Sequence, residues 1–144
     1  MKICPMTEAG CEKTGLLMKE CFSVPWSVEG LKEMFHTEGY CSFLAKEEEE
    51  VIGYVGMKMV LDEADITNVA VLPSHRKKGI AGKLLKQLLE EAKKQNLHSI
   101  YLEVRASNIA AVTLYEHAGF KEVGQRKNYY DNPREDARLM LWEA

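Results

Sequence analysis

The sequence predicts an α/β fold, one domain over residues 1–144 built on a mixed β-sheet. Three observations predict it. The chain has 144 residues, close to the commonest domain size and long enough to bury a core unaided. Its 46% hydrophobic and 28% charged residues are ordinary globular values. Along the chain the apolar spacing switches between a period of two and a period near 3.6, in the order β-α-α-β-β-β-α-β-α-β-β. An antiparallel hairpin set precedes alternating helices and strands, so the sheet is mixed. No internal repeat, low-complexity tract or linker interrupts the pattern.

Lys2 to Met6 reads as the opening strand. Thr7 can cap a helix with Glu8 and Glu12 in its first turns and Leu16, Leu17 and Cys21 on an apolar stripe. Pro25-Trp26-Ser27 breaks the chain. Ser27 then caps a short helix carrying Leu31, Met34 and Phe35, which Gly39 ends. Cys41 to Ala45 is a strand, and Lys46 to Glu50 a charged turn. Val51 to Leu61 and Ala64 to Leu72 are the next strands, with Asp62-Glu63 between them.

The second of these breaks parity. Ile66 is even, whereas Val69 and Val71 are odd, so they share a face only if a residue is inserted near Thr67-Asn68. That predicts a β-bulge there, or a strand buried on both faces. Ile80, Leu84, Leu85, Leu88, Leu89 and Ala92 then recur at helical spacing. Ser99 to Val104 is a strand with Ile100, Leu102 and Val104 on one face and Tyr101 and Glu103 on the other. Asn108 opens a helix through Leu114 and Tyr115 that stops at Gly119. Phe120 to Lys127 and Ala137 to Trp142 close the sheet, with Asn128 to Asp136 as the loop between them.

Nineteen basic and 22 acidic residues give a net charge of −3. That balance points away from a nucleic-acid surface or a polybasic membrane anchor. The four cysteines (Cys4, Cys11, Cys21, Cys41) match no zinc spacing, so free thiols in a reducing compartment and no metal are expected. Residues 1–8 carry no apolar run, and no stretch of about 18 apolar residues exists, so no signal peptide and no spanning helix are expected. The expectation is a soluble, cytoplasmic protein. The oligomeric state stays open between a monomer and a weak dimer.

Chemistry first shows itself at Arg76-Lys77-Lys78-Gly79-Ile80-Ala81-Gly82. Small residues admit a ligand close to the backbone. A helix N-terminus follows, with unpaired N–H groups and the positive end of its dipole. Three cations stand before it. The combination predicts a phosphate site. It is not a P-loop, because Lys77 stands where that motif needs glycine.

Arg76-x-x-Gly79-x-Ala81 resembles the [RQ]-x-x-G-x-[GA] signature of the GNAT acetyltransferases. Leu102-Glu103-Val104-Arg105-Ala106-Ser107-Asn108, continued by Ala110-Ala111, Leu114-Tyr115 and Gly119-Phe120, resembles a longer block of the ribosomal-protein-alanine N-acetyltransferases in that superfamily. Pro25-Trp26-Ser27, Asn128-Tyr129-Tyr130 and Arg134-Glu135-Asp136-Ala137 are also similar to that subfamily. The resemblance covers nearly the whole chain. It implies the GNAT fold, a twisted sheet of about seven strands with helices on both faces. It also implies transfer of acetyl from acetyl-CoA to the N-terminal alanine of a small-subunit ribosomal protein, by direct attack in a ternary complex. No metal, nucleic acid or membrane enters that picture.

Resemblance also implies the site residues. The backbone of Val69, Ala70 and Val71 would pair with the pantetheine arm. The loop Arg76, Lys77, Lys78, Gly79, Ile80, Ala81 and Gly82 would hold the pyrophosphate. Asn108, a helix cap in its own right, would contact CoA as well. Glu103, a glutamate at the C-terminal end of a strand, would be the general base. Tyr115 would protonate the leaving thiolate. Arg105 is expected to pair with a nearby acid. Trp26, Tyr129 and Tyr130 stay open between an acceptor wall and structural packing. Two other functions share the cofactor half: acetylation of a polyamine or amino sugar, and a non-catalytic acyl-CoA-binding module. A cysteine nucleophile has no activating neighbour at recognisable spacing.

Overall fold

The side chains chosen as helix caps do cap. Thr7 Oγ1 accepts from the Gly10 amide at 3.1 Å, Ser27 Oγ from Gly30 at 3.0 Å and Asn108 Oδ1 from Ala111 at 3.2 Å. Thr7 differs from expectation in one respect: it closes a single 3₁₀ turn, Glu8–Gly10, and the α-helix starts behind it. The computed structural model describes all 144 residues. Its elements are β1 (Lys2–Pro5), α1 (Cys11–Cys21), α2 (Val28–His36), β2 (Tyr40–Glu47), β3 (Glu50–Val60) and β4 (Glu63–Val71). Then follow α3 (Ile80–Lys94), β5 (Ser99–Arg105), α4 (Ile109–His117), β6 (Lys121–Tyr130) and β7 (Glu135–Glu143). The predicted order of strands and helices is the observed one.

The strands form one seven-stranded sheet in the order β1-β2-β3-β4-β5-β7-β6. Every neighbouring pair is antiparallel except β4 with β5. Between β3 and β4 the register runs Gly56↔Asn68 and then Met57↔Ile66. Thr67 is therefore the inserted residue of a β-bulge. The insertion lets Ile66, Val69 and Val71 pack on one core, as their parity required. Ala70 faces the other.

Helices cover both faces. On one, α3 buries Ile80, Leu84, Leu85, Leu88 and Ala92 against Phe43, Ala45, Val55 and Met57, and α4 adds Val112 and Tyr115. Full burial of each large apolar side chain stabilises the fold by about 1.5–3 kcal/mol. Gly53 lets α3 approach: a Cβ there would sit 2.9 Å from Leu84 Cδ1 and 3.2 Å from Ile80 Cγ2. On the other face, α1 and α2 bury Cys11, Leu17, Met18 and Leu31 against Leu44, Val51, Tyr54 and Ala70. Trp26 packs partly buried against this second core.

The end of the chain corrects one expectation. Asn128, Tyr129 and Tyr130 belong to β6, and β7 begins at Glu135, so the connecting loop is only residues 131–134. The cause is an irregularity that periodicity cannot reveal. Arg126 pairs with Ala137, yet Tyr130 pairs with Glu135, which places two surplus residues in β6. Asn128 absorbs them at φ +53, and its amide donates to Asp136 Oδ1 at 2.9 Å. No helix is long and apolar enough to cross a membrane.

Candidate active site

The site begins where strand pairing stops. β4 and β5 are paired only at Glu63↔Ser99, Ala64↔Ile100 and Asp65↔Tyr101. Beyond Asp65 the two strands part. β4 stays bonded to β3 as far as Val71, and β5 to β7 as far as Arg105. The edge of β4 from Ile66 to Val71 that turns toward β5 thus has no ladder. Apart from the Val71 carbonyl, which accepts from within the protein, its backbone groups are free for an extended ligand.

The loop after β4 lies beside this opening. Lys77 and Gly79 both have positive φ, +64 and +78. Left-handed residues at such positions turn successive N–H groups into a concave, anion-binding arrangement. Helix α3 starts directly after Gly79, and its first backbone bond in the opening turn is Lys83 N–H to the Gly79 carbonyl at 3.1 Å. The amides of Ile80, Ala81 and Gly82 lie in that first turn, where no intrahelical acceptor exists. A cavity of about 390 Å³ adjoins them, lined by Val71, Arg76, Lys77, Gly79, Ile80, Ala81 and Gly82 together with Ala110, Ala111 and Leu114 of α4. Gly82 keeps it open: a Cβ there would meet only Leu114 Cδ1, at 3.7 Å.

Arg76 turns inward. Its Nε donates to the Val71 carbonyl at 3.0 Å, and its Nη2 lies 3.9 Å from Cys21 Sγ. The same carbonyl receives the Cys21 thiol at 3.4 Å, so the ends of β4 and α1 and the start of the loop are tied at one point. Lys78, Val69, Ala70 and Asn108 do not line the cavity. Lys78 and Asn108 are exposed beside it, and Ala70 directs its side chain to the α1 face.

Glu103 stands on β5 past the last pair with β4, on the face opposite Leu102 and Val104. Its side chain is 26% exposed, and Oε1 lies 3.4 Å from Arg126 Nε. Oε2 is buried and has no hydrogen-bond partner. Two more buried oxygens without partners, Thr67 Oγ1 and Asn68 Oδ1, belong to the bulge on the facing strand. An acceptor left unpaired in this way is costly unless a ligand or water completes it. The carboxylate also raises the pKa of Tyr129, chiefly by accepting a hydrogen bond, with burial second. Burial raises that of Tyr130, and Glu103 adds to it. The rings of Tyr129 and Tyr130 meet edge-on at 5.0 Å.

Tyr115 lies in the α3–α4 core, edge-on to Phe120 at 5.8 Å. Burial, with Tyr130 a lesser cause, pushes its hydroxyl up to about 12, so it stays a proton donor throughout the neutral range. Arg105 meets an acid as expected, Glu135 Oε1 at 3.3 Å. It also donates to the carbonyls of Pro133 and Asp131, each at 3.0 Å, and caps the Tyr130 ring at 4.5 Å. Cys41 is pushed up to about 11 by burial, and burial likewise raises Cys11 and Cys21, which leaves these thiols protonated and poor nucleophiles.

Sequence reading missed Asp65 and Arg126. Asp65 pairs with Tyr101 across the parallel junction and shares the face of Glu103. Only the register across β4 and β5 brings them together, and strand periodicity does not encode it. Arg126 reaches Glu103 because β6 lies beyond β7, two strands from β5.

Residues 12–120 match the model of the Acetyltransferase (GNAT) family. The chain is 38% identical over 118 residues to the [ribosomal protein bS18]-alanine N-acetyltransferase of Escherichia coli K12, spanning 81% of this chain and 79% of that one. It is 41% identical over 120 residues to the protein of the same name from Haemophilus influenzae, spanning 81% of each. The crystal structure of the ribosomal-protein-S18-alanine N-acetyltransferase from Escherichia coli superimposes with a TM-score of 0.90 at 32% identity, covering 99% of this chain and 92% of that one.

Proposed function

The chain belongs to the GNAT acetyltransferase family, and from that premise we propose that it acetylates the N-terminal alanine of a small-subunit ribosomal protein, bS18 in the names of its relatives. It is an acetyl-CoA-dependent N-acetyltransferase. The opening between β4 and β5 carries the reading, because the loop of residues 76–82 borders it and Glu103 stands within it.

The residues present suit acetyl-CoA. Positive backbone dihedrals at Lys77 and Gly79, the free amides of α3 and the space left by Gly82 form a cradle for a pyrophosphate. The unladdered edge at Val69 and Val71 suits an amide-bearing arm, and Asn108 has its amide nitrogen spare while Oδ1 caps α4. When bound, acetyl-CoA supplies an activated acetyl thioester and leaves as the thiol.

Glu103 takes the proton from the acceptor ammonium, directly or through a water held at the unpartnered Oε2. An α-amine titrates near 7.7–8.0, so roughly a tenth is free base at neutral pH, against well under one in a thousand for a lysine near 10.4. One carboxylate is therefore enough for the α-amine. Tyr115 holds the proton that the departing sulfur needs, and its raised pKa keeps that proton in place until then. Tyr129 and Tyr130 frame the acceptor side of Glu103, and Trp26 braces the α1–α2 connection.

Peptides that differ only in their first residue, run beside spermidine and amino sugars with CoA-thiol release as readout, test the reading. The alanine-leading peptide is expected to turn over fastest. Faster turnover of spermidine would replace this function with small-molecule acetylation.

A further inference from the structure

We propose that Arg76 is a positioning residue for acetyl-CoA: its Nε–H shapes the loop of residues 77–82, and its charge is not what the site uses. The assignment rests on the reading above that this loop holds the cofactor.

The loop has little to shape it from within. The amides of Lys77 to Gly82 donate to no main-chain carbonyl. The amide before them, that of Arg76, reaches the Pro73 carbonyl only at 3.4 Å, longer than an ordinary hydrogen bond. Lys77 holds φ +64, which a residue other than glycine keeps only when its surroundings impose it. Amides left free suit a ligand but hold nothing themselves. The shape must therefore come from side chains.

Arg76 supplies it. Its Nε donates to the Val71 carbonyl at 3.0 Å and so closes the turn Pro73–His75 onto the end of β4. The loop and the β4 edge are thereby held as one body. Cys21 donates its thiol to the same carbonyl at 3.4 Å. A carbonyl oxygen has two lone pairs, so these two donors fill it. One residue before Arg76, His75 Nε2 meets Glu47 Oε1 at 3.2 Å and braces the turn from β2.

The direction of the guanidinium argues against a phosphate clamp. Nη2 lies 3.9 Å from Cys21 on α1, whereas the cavity beside the free amides runs to Ala110, Ala111 and Leu114 of α4. Helices α1 and α4 pack on opposite faces of the sheet. Lys77 and Lys78 are exposed and supply positive charge within the loop itself.

Side-chain chemistry separates the two roles. Glutamine sets its Nε2 at the chain position of arginine Nε, so Arg76→Gln keeps a donor for Val71 and drops the charge. Lysine sets a methylene there, so Arg76→Lys keeps the charge and drops the donor at that atom. Calorimetry should find acetyl-CoA bound to Arg76→Gln within about three-fold of wild type. Arg76→Lys and Arg76→Met should bind it about ten-fold more weakly than wild type, the size of one hydrogen bond. KM for acetyl-CoA should follow the same order, with kcat changed less. Salt should weaken binding to wild type and Arg76→Gln alike. Tighter binding by Arg76→Lys than by Arg76→Gln, or a salt response lost in Arg76→Gln, would make Arg76 a phosphate ligand and overturn the proposal. Equal affinities across the three variants would overturn it as well. Backbone amide NMR spectra of the free protein give a readout that needs no cofactor. The resonances of Lys77 to Gly82 should move in Arg76→Lys and Arg76→Met and stay near their wild-type positions in Arg76→Gln. If Gly82→Glu left acetyl-CoA affinity unchanged, the reading of the loop would fall, and those spectra would judge Arg76 by itself.

Discussion

Arg105 stands 4.5 Å above the ring of Tyr130 while its two terminal nitrogens hold the carbonyls of Pro133 and Asp131. One guanidinium thus fixes both the loop 131–134 and the tyrosine pair beside Glu103. Arg105→Lys keeps the charge but loses the planar fork. It should raise the acceptor KM several-fold and leave CoA affinity unchanged, as steady-state kinetics and calorimetry would show. A change in CoA affinity instead would mean that the loop serves the other half of the site.

Gly79 and Gly82 should separate under mutation. Gly79 has φ +78 with open space around it, so Gly79→Ala strains the backbone and should cost about 1–2 kcal/mol of stability. Gly82 has room for a side chain within the protein. Gly82→Glu should leave the melting temperature nearly unchanged and weaken CoA binding strongly, by setting a negative charge in the cavity. Melting curves with calorimetry distinguish the two.

Glu103→Gln retains size and loses basicity. Turnover should fall by about 10²–10⁴-fold at neutral pH, and the deficit should shrink toward pH 9, where the acceptor α-amine arrives deprotonated. A kcat–pH profile parallel to wild type would remove Glu103 from the proton path. Tyr115→Phe should lower kcat without alkaline recovery.

Tyr115 also predicts a stability profile. Its pKa is about 12 in the folded protein against about 10 when exposed. The folded state therefore holds a proton that the unfolded chain releases. Stability is fully present below pH 10 and is lost as pH rises through 12. Tyr115→Phe should blunt the alkaline loss between pH 10 and 12 in denaturant titrations. An unchanged loss would assign it to other groups.

Gly53→Val should test the seat of α3. Its Cβ would press on Leu84 and Ile80, which lie within a fully packed core. A loss of about 1–3 kcal/mol is expected from overpacking, read from the urea midpoint.

Much of this was legible in the sequence because local rules decided it. The parity break between Ile66 and Val69 pointed to a bulge near Thr67-Asn68, with a doubly buried strand as the alternative, and the register puts the inserted residue at Thr67. Thr7, Ser27 and Asn108 marked helix starts through capping chemistry alone. Failure came where two strands set the outcome together. Asn128-Tyr129-Tyr130 read as a loop, because two surplus residues in β6 show only against the pairing of β7. Nothing in the strand pattern of Ala64 to Leu72 singles out Asp65, because its relation to Glu103 exists only across the junction of β4 and β5.

The halted pairing of β4 and β5 has a consequence for how such a molecule can diversify. A sheet normally walls one face off from the other; here the wall has a slot. The cavity framed by α3 and α4 lies to one side, and Asp65, Glu103 and the β6 tyrosines lie to the other. Substitutions away from the slot and from the Arg76–Val71–Cys21 tie on one side need not disturb the other. Donor chemistry can stay fixed while the acceptor face is rewritten, residue by residue, for a different amine.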